Sequence, residues 1–235
     1  GGKSNQAIKT DISLSCGTIS EVDAAMKVAM SKGFDILKIK LGSNVQDDIK
    51  LCQHIKSTFP PEIVLRLDAN QGWSVKETLK FIEVIHPLDL NIELIEQPVA
   101  EQNIKGMAEI TKNSPYAIMA DESVFSYTDA LNVLENKAAN IINIKLAKSG
   151  GITNAFKILE ASKKYNTECM IGCMMESPLG IAAAAHFAVA TGINKIDLDP
   201  LDWVDTKYFS RWLDFFAPKI KLNYQIGMGY IPIVI

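Results

Sequence analysis

The stretch DILKIKLG, residues 35–42, sets Lys38 and Lys40 two positions apart in a run that otherwise reads as a strand. Side chains alternate faces along a strand, so both ammonium groups point to one side. Like charges there, with a dication nearby, disfavour protonation and make Lys40 a usable base near pH 7, with Lys38 as a tuning charge. The alternative is a pair of lysines reaching bulk water at a strand end. Asp68, Glu96 and Asp121 also close short apolar runs, as does Lys145. Three carboxylates brought together repel one another unless a cation lies between them. All-oxygen donors suit a hard divalent ion, with Mg²⁺ the usual one. No His or Cys ends a neighbouring run, which argues against zinc. The alternative is that each acid caps a helix, which three in succession make a poor account. Asp197 and Asp199, in DLD, share one face of a further run. Away from the metal acids, they call for a cationic ligand such as an ammonium group, unless they form a solvated acidic strand end.

The elements that must hold these residues recur regularly. The runs are DISLS (11–15), ILKIK (36–40), IVLRLD (63–68), IELIE (92–96), AIMAD (117–121), IINIK (141–145), ECMIG (168–172) and KIDLD (195–199). Lys40, Asp68, Glu96, Asp121 and Lys145 follow one another at 28, 28, 25 and 24 positions, enough for strand, loop and helix. The intervals carry helix signals. Ser20 is the expected N-cap of the first helix, with Asp23 three residues on and Gly33 as its stop. Ser74 to Glu77 forms a capping box, and Ser126 to Asp129 repeats the signal. Eight strands alternating with helices predict an α/β chain, a TIM-type (β/α) barrel. A doubly wound open sheet is the alternative, but CGTIS after the first strand lacks its GxGxxG turn. In a barrel the strand ends gather at one face. The second and sixth strands then set Lys40 and Lys145 across the mouth, and the eighth sets Asp197 and Asp199 opposite Glu96.

Composition narrows the classes. The 235 residues are 48% hydrophobic, with net charge −3. No basic tract points to nucleic acid or an anionic membrane, and arginine occurs only at Arg66 and Arg211. No apolar run approaches the roughly 20 residues of a membrane span. Cys16, Cys52, Cys169 and Cys173 form no CxxC pair and read as reduced, mostly buried thiols of a cytoplasmic protein. The expected organisation is a linker or scar over 1–8, a barrel over 9–203, and an aromatic C-terminal segment over 204–235.

Taken in order, KxK at Lys38 and Lys40, RLDAN at 66–70, EQP at 96–98, ADES at 120–123 and NIKLAKSGGI at 143–152 resemble the enolase superfamily, in its muconate-lactonizing-type subgroup. The resemblance covers nearly the whole chain and implies a modified (β/α)7β barrel. It implies Mg²⁺ held by Asp68, Glu96 and Asp121 against a substrate carboxylate. Lys40 and Lys145 are then the two acid/bases, moving an α-proton through an enediolate. DLD looks like the DxD motif of dipeptide epimerases, so Asp197 and Asp199 would bind the substrate's N-terminal ammonium. The expected activity is that of an L-Ala-D/L-Glu-type epimerase of murein peptides. Muconate cycloisomerase and o-succinylbenzoate synthase or N-acylamino acid racemase are the nearest rivals, and a non-catalytic metal-binding barrel fragment is a rival of another class.

Members of this family carry an N-terminal capping domain. It is expected to be missing here, or supplied by a separate segment, and the reading leaves room for a homo-oligomer. GMGY, at 227–230, resembles the stretch that packs on that cap. Glu176 is a further candidate for the pocket, and Asn70 and Gln97 are expected to support the metal acids. His54, His86 and His186 fall in helical runs and are set aside. Arg66 is expected to make a structural ion pair.

Overall fold

In the expected repeat, apolar runs rich in Ile, Leu and Val become strands, and amphipathic intervals become helices packed outside them. The computed structural model describes residues 7–202 and 213–222. After a two-residue strand β1 (Ile8–Lys9) the order is β2 (Ile12–Leu14), α1 (Ile19–Ser31), β3 (Ile36–Lys40), α2 (Val45–Thr58), β4 (Val64–Asp68) and α3 (Val75–Ile85). There follow β5 (Ile92–Glu96), α4 (Ile104–Asn113), β6 (Ala117–Ala120), α5 (Tyr127–Glu135) and β7 (Ile141–Lys145). A single turn α6 (Leu146–Ser149) precedes α7 (Ile152–Lys164), β8 (Glu168–Gly172) and α8 (Pro178–Thr191). The hairpin β9 (Leu213–Phe216) and β10 (Lys219–Leu222) pairs with β1 in a separate antiparallel sheet.

Strands β2 to β8 form one parallel sheet in sequence order. The eighth strand differs from expectation. KIDLD supplies only an isolated parallel bridge, Ile196 to Ile171, and its end turns into a 3-10 helix, Asp199–Asp202. The ring nevertheless closes. Ile171 N donates to Lys195 O at 3.0 Å and Asp197 N to Ile171 O at 2.8 Å on one side, and Asp11 N reaches Ile196 O at 3.3 Å on the other. Proline at position 200 removes a donor just where a ladder would continue. The fold is thus the (β/α)7β barrel, with its last strand reduced to a bridge.

Two of the expected caps, Ser74 and Ser126, are in place. The first helix is capped two residues earlier than expected. Thr18 and Glu21 form the reciprocal box, not Ser20 and Asp23. Both pairs have the right spacing, and only Thr18 has the extended backbone a cap needs, at φ −63° and ψ 157°. The main apolar core lies between sheet and helices. Inside the ring, Leu94, Met119, Ile141 and Met170 form a second, small cluster that floors the mouth.

Of the expected linker, residues 7 and 8 are described, and Ile8 already pairs with Ile220. Of the C-terminal segment, only 213–222 is described, and GMGY lies outside the described residues. Cys52, Cys169 and Cys173 are buried free thiols and Cys16 is an exposed one. Among the described residues no helix is long and apolar enough to cross a membrane.

Candidate active site

Register places the charges. Lys40 pairs directly with Asp68 across β3 and β4, and Asp68 with Glu96 across β4 and β5. One base and two acids therefore form a row, fixed by backbone hydrogen bonds. Asp121 follows β6 by one residue, and Lys145 ends β7, four strands from Lys40 in the ring of eight. The loops after β3 and β4 interlock to hold this edge. A Cβ on Gly42 would collide with the carbonyl of Ala69, and one on Gly72 with the carbonyl of Gly42, so only glycine fits either place.

Lys38, not Lys40, is the buried centre. Its Nζ lies 2.7 Å from Glu96 Oε2, 2.9 Å from Asp197 Oδ2 and 3.1 Å from Asp68 Oδ2. The expectation was that crowding beside a dication disfavours its charge, and the carboxylates around it act the other way. Burial alone would lower Lys38, but Asp197, Glu96, Asp68 and Asp11 outweigh it and hold the ammonium well above its usual range. A charge matched by three contacting carboxylates is not a free tuning charge for its neighbour. Lys40 Nζ instead meets Asp68 Oδ2 at 2.7 Å. Asp197 is likewise not remote from Asp68 and Glu96, since one lysine joins it to them.

Lys145 Nζ meets Asp121 Oδ2 at 2.7 Å. Burial would lower Lys145, but Asp121 and Glu96 raise it above its ordinary value. Asp121 shows the converse. Burial would raise it, but Lys148, Lys145 and Lys38 hold it well below the usual carboxylate range.

Glu96 tests whether a dication suits the site. The side chain is fully buried, and Oε1 accepts from Asn143 Nδ2 at 2.9 Å. Oε2 has no hydrogen-bond partner, only the Lys38 ion pair. Burial, then Asp68, with Asp121 adding to it, push Glu96 up to about 8 against Lys38 and Lys145. A buried acid crowded by two others is short of positive charge, and all three offer hard oxygen donors. Asp68, Glu96 and Asp121 therefore fit a hard divalent cation. A second acidic group lies nearby, with donor atoms of Cys173, Asp197 and Asp199 within 4.8 Å of one another. Its thiol makes it a poorer match for such an ion.

Asp199 is buried, and its Oδ2 accepts from Ser13 N at 2.7 Å. Burial and then Asp197 raise its carboxyl to about 6. Lys38, Lys40, Lys145, Asp197 and Asp199 all line one open cavity of about 330 Å³. A larger cavity of about 560 Å³ adjoins it at Lys40, and one of about 180 Å³ lies beneath Ile55 and Leu65, away from these charges.

The supporting residues are well placed. Gln97 adopts φ +36° directly after Glu96. Its Oε1 accepts from Asp121 N and Ser123 N, and its Nε2 donates to Val99 O and Ser123 Oγ. Its side-chain amide is fully used, holding the backbone of Asp121 and Ser123 on one side and the loop at Val99 on the other. Asn70, also at positive φ, donates its backbone N–H to Asp68 Oδ1 at 3.0 Å. Glu176 does not join the site. Its Oε1 accepts from Met174 N at 3.1 Å, and Met174 and Met175 line the cavity in its place.

Asn143 escaped the sequence reading, and Lys148, noted beside Lys145 and expected in the loop after it, was given no role. Asn143 is the inward residue two before Lys145, a polar position in an otherwise apolar run. Lys148, three after Lys145, lies on α6 rather than in an open loop and donates to the carboxylate and carbonyl of Asp121.

Residues 21–231 match the family described as "Enolase C-terminal domain-like". The chain is 45% identical over 230 residues to an L-Ala-D/L-Glu epimerase of Francisella tularensis subsp. novicida, covering 97% of this chain and 65% of that relative. Among solved structures, a substrate-liganded complex of the L-Ala-D/L-Glu epimerase from Bacillus subtilis matches with TM-score 0.91 and 38% identity, over 95% of this chain and 63% of that one. The dipeptide epimerase of Enterococcus faecalis V583, complexed with Mg and the dipeptide L-Leu-L-Tyr, matches with TM-score 0.88 and 36% identity, over 97% and 65%. The chain thus spans just under two thirds of the length of these relatives.

Proposed function

Because this chain belongs to the enolase C-terminal domain-like family, we propose that it epimerises dipeptides of the L-Ala-D/L-Glu kind at the α-carbon of the C-terminal residue. One observation carries the reading: Lys40 and Lys145, on opposite strands of the ring, line the same cavity as Asp197 and Asp199. Bases on two faces of a bound carbon permit inversion, and acids at one side give a dipeptide's ammonium a place to sit.

Mg²⁺, when bound, would be held by Asp68, Glu96 and Asp121 and would stabilise negative charge developing on the substrate's carboxylate. Lys40 or Lys145 takes the α-proton as the amine, a form that Asp121 and Glu96 disfavour at Lys145 unless a cation among those acids offsets their charge. The C–H electron pair moves into the carboxylate as an enediolate, and the opposite lysine, as ammonium, returns a proton to the other face. Both lysines are tethered at 2.7 Å to a proposed metal acid, which fixes their Nζ atoms near the reacting carbon. Asp199 receives the substrate ammonium. Its carboxyl, raised to about 6 by burial and Asp197, lacks the cation that Lys38 gives Asp197. Three buried free thiols among the four described fit a reducing compartment such as the cytoplasm.

Muconate cycloisomerase or o-succinylbenzoate synthase/N-acylamino acid racemase activity would leave Asp199 without a cationic ligand, since those substrates bring no ammonium. The test is ¹H NMR in D₂O with Mg²⁺ and L-Ala-L-Glu. Loss of the C-terminal α-proton signal is expected. Exchange from an N-acyl amino acid and from no dipeptide would replace this reading with the racemase. Mg²⁺ binding without exchange from either would leave a non-catalytic barrel.

A further inference from the structure

The strand that carries Asp197 and Asp199 has almost no ladder, yet both side chains must be aimed. Beyond the two bonds to Ile171, the contacts on its β2 side come mostly from side chains. Thr10 Oγ1 accepts from Leu198 N at 2.7 Å, and Asp199 Oδ2 accepts from Ser13 N at 2.7 Å. The backbone contact, Asp11 N to Ile196 O, is long at 3.3 Å. Arg66 supplies what is missing. From β4, across the barrel interior, its Nη1 donates to Ile196 O and to Asp11 Oδ2, each at 2.7 Å. Its Nε donates to Glu93 Oε2 at 2.6 Å. The side chain is 2% exposed, and Asp11 is fully buried. One planar guanidinium therefore joins β4, β5, the residue just before β2 and the carbonyl immediately before Asp197. A charged donor in a dry interior makes a strong, directional bond, and the fork holds its three acceptors in one plane.

We propose that Arg66 is a positioning residue: it clamps residues 195–199 in place of a ladder and thereby aims Asp197 and Asp199 at the substrate. The clamp itself is a statement about the folded chain; its consequence for substrate rests on the dipeptide reading above. Lysine at this position keeps a charge but cannot present the same fork. An acidic anchor at Glu93 keeps the guanidinium in plane, so Glu93→Gln should loosen the clamp less than Arg66→Lys.

The experiment has two readouts on the full chain. Hydrogen–deuterium exchange of Arg66→Lys should speed up at residues 195–199 by on the order of 10-fold, with β6 and β7, which Arg66 does not touch, unchanged. Uniform acceleration, or none at 195–199, would overturn the clamp. In the NMR assay KM for L-Ala-L-Glu should rise by about 10-fold with kcat nearly constant, the pattern of lost ground-state binding. The rise should shrink in an Asp199→Asn background, because both changes act on one contact. A KM unchanged, or a rise fully additive with Asp199→Asn, would reduce Arg66 to a structural ion pair. If Arg66→Lys does not fold, Glu93→Gln carries both readouts with smaller changes of the same pattern. If the wild type exchanges no dipeptide, the functional reading fails, and the deuterium result alone decides the clamp.

Discussion

Two sides of one ring hold their charges by different means. From β3 to β5 the strands are joined by backbone ladders, broken only by one register shift at Leu65 and Arg66 between β4 and β5, and Lys40, Asp68 and Glu96 lie in consecutive register. At the seam between β8 and β2, one bridge remains, and Thr10, Arg66 and Asp199 do with side chains what backbone does elsewhere. Backbone ladders are indifferent to side-chain identity, so on the ladder side a substitution should change chemistry and leave position intact. On the seam side a substitution should move the chain itself.

Four variants probe that contrast. On the ladder side, Lys145→Met should cut α-proton exchange by about 10³-fold, with far-UV circular dichroism unchanged. A loss of folded structure alongside activity would contradict the division. Next, Asn143→Leu releases Glu96 Oε1 without touching a ladder bond. Mg²⁺ affinity in a calorimetric titration should fall by about 10- to 100-fold, and an unchanged affinity would remove Asn143 from the site's support. The smallest effect is expected in a pair of fully buried threonines. Thr10→Val leaves the buried Leu198 N–H unpaired and should cost about 1–3 kcal/mol in urea unfolding. Thr78→Val removes only a second bond to Ser74 O, which still accepts Thr78 N at 2.9 Å. It should cost less than about 1 kcal/mol. Equal costs for the two would mean the seam is no more dependent on side chains than a helix is.

The same contrast marks what could be read from the chain. Strand ends and helix caps follow local rules, so the spacing of Lys40, Asp68, Glu96, Asp121 and Lys145 was enough to predict their gathering. Choosing between Thr18 and Ser20 as a cap needs the backbone angle, which spacing does not carry. Lys38 was misjudged because its partner Asp197 is 159 positions away, on a strand whose ladder had been assumed. Arg66 was expected to make an ion pair, and it does, but Asp11 and Ile196 as its partners follow only from the closed ring. Glu176 was proposed from proximity in sequence to β8, and the turn before α8 carries its carboxylate back to Met174.

The ammonium cluster at the mouth has a consequence for how the protein matures. Among the described residues, Asp68, Glu96, Asp121 and Asp197 face Lys38, Lys40, Lys145 and Lys148. Each of these lysines contacts a carboxylate, so most of the acidic charge at the mouth is matched within the chain itself, with Glu96 and Asp199 the acids left shortest of cation. Newly synthesised chain can therefore finish folding without waiting for an ion, unlike small domains whose structure is organised by a metal. Chelation by EDTA should abolish turnover and leave the melting temperature within a few degrees. A collapse of the fold on chelation would show that the lysines are poor stand-ins and that the ion acts as scaffold as well as reagent.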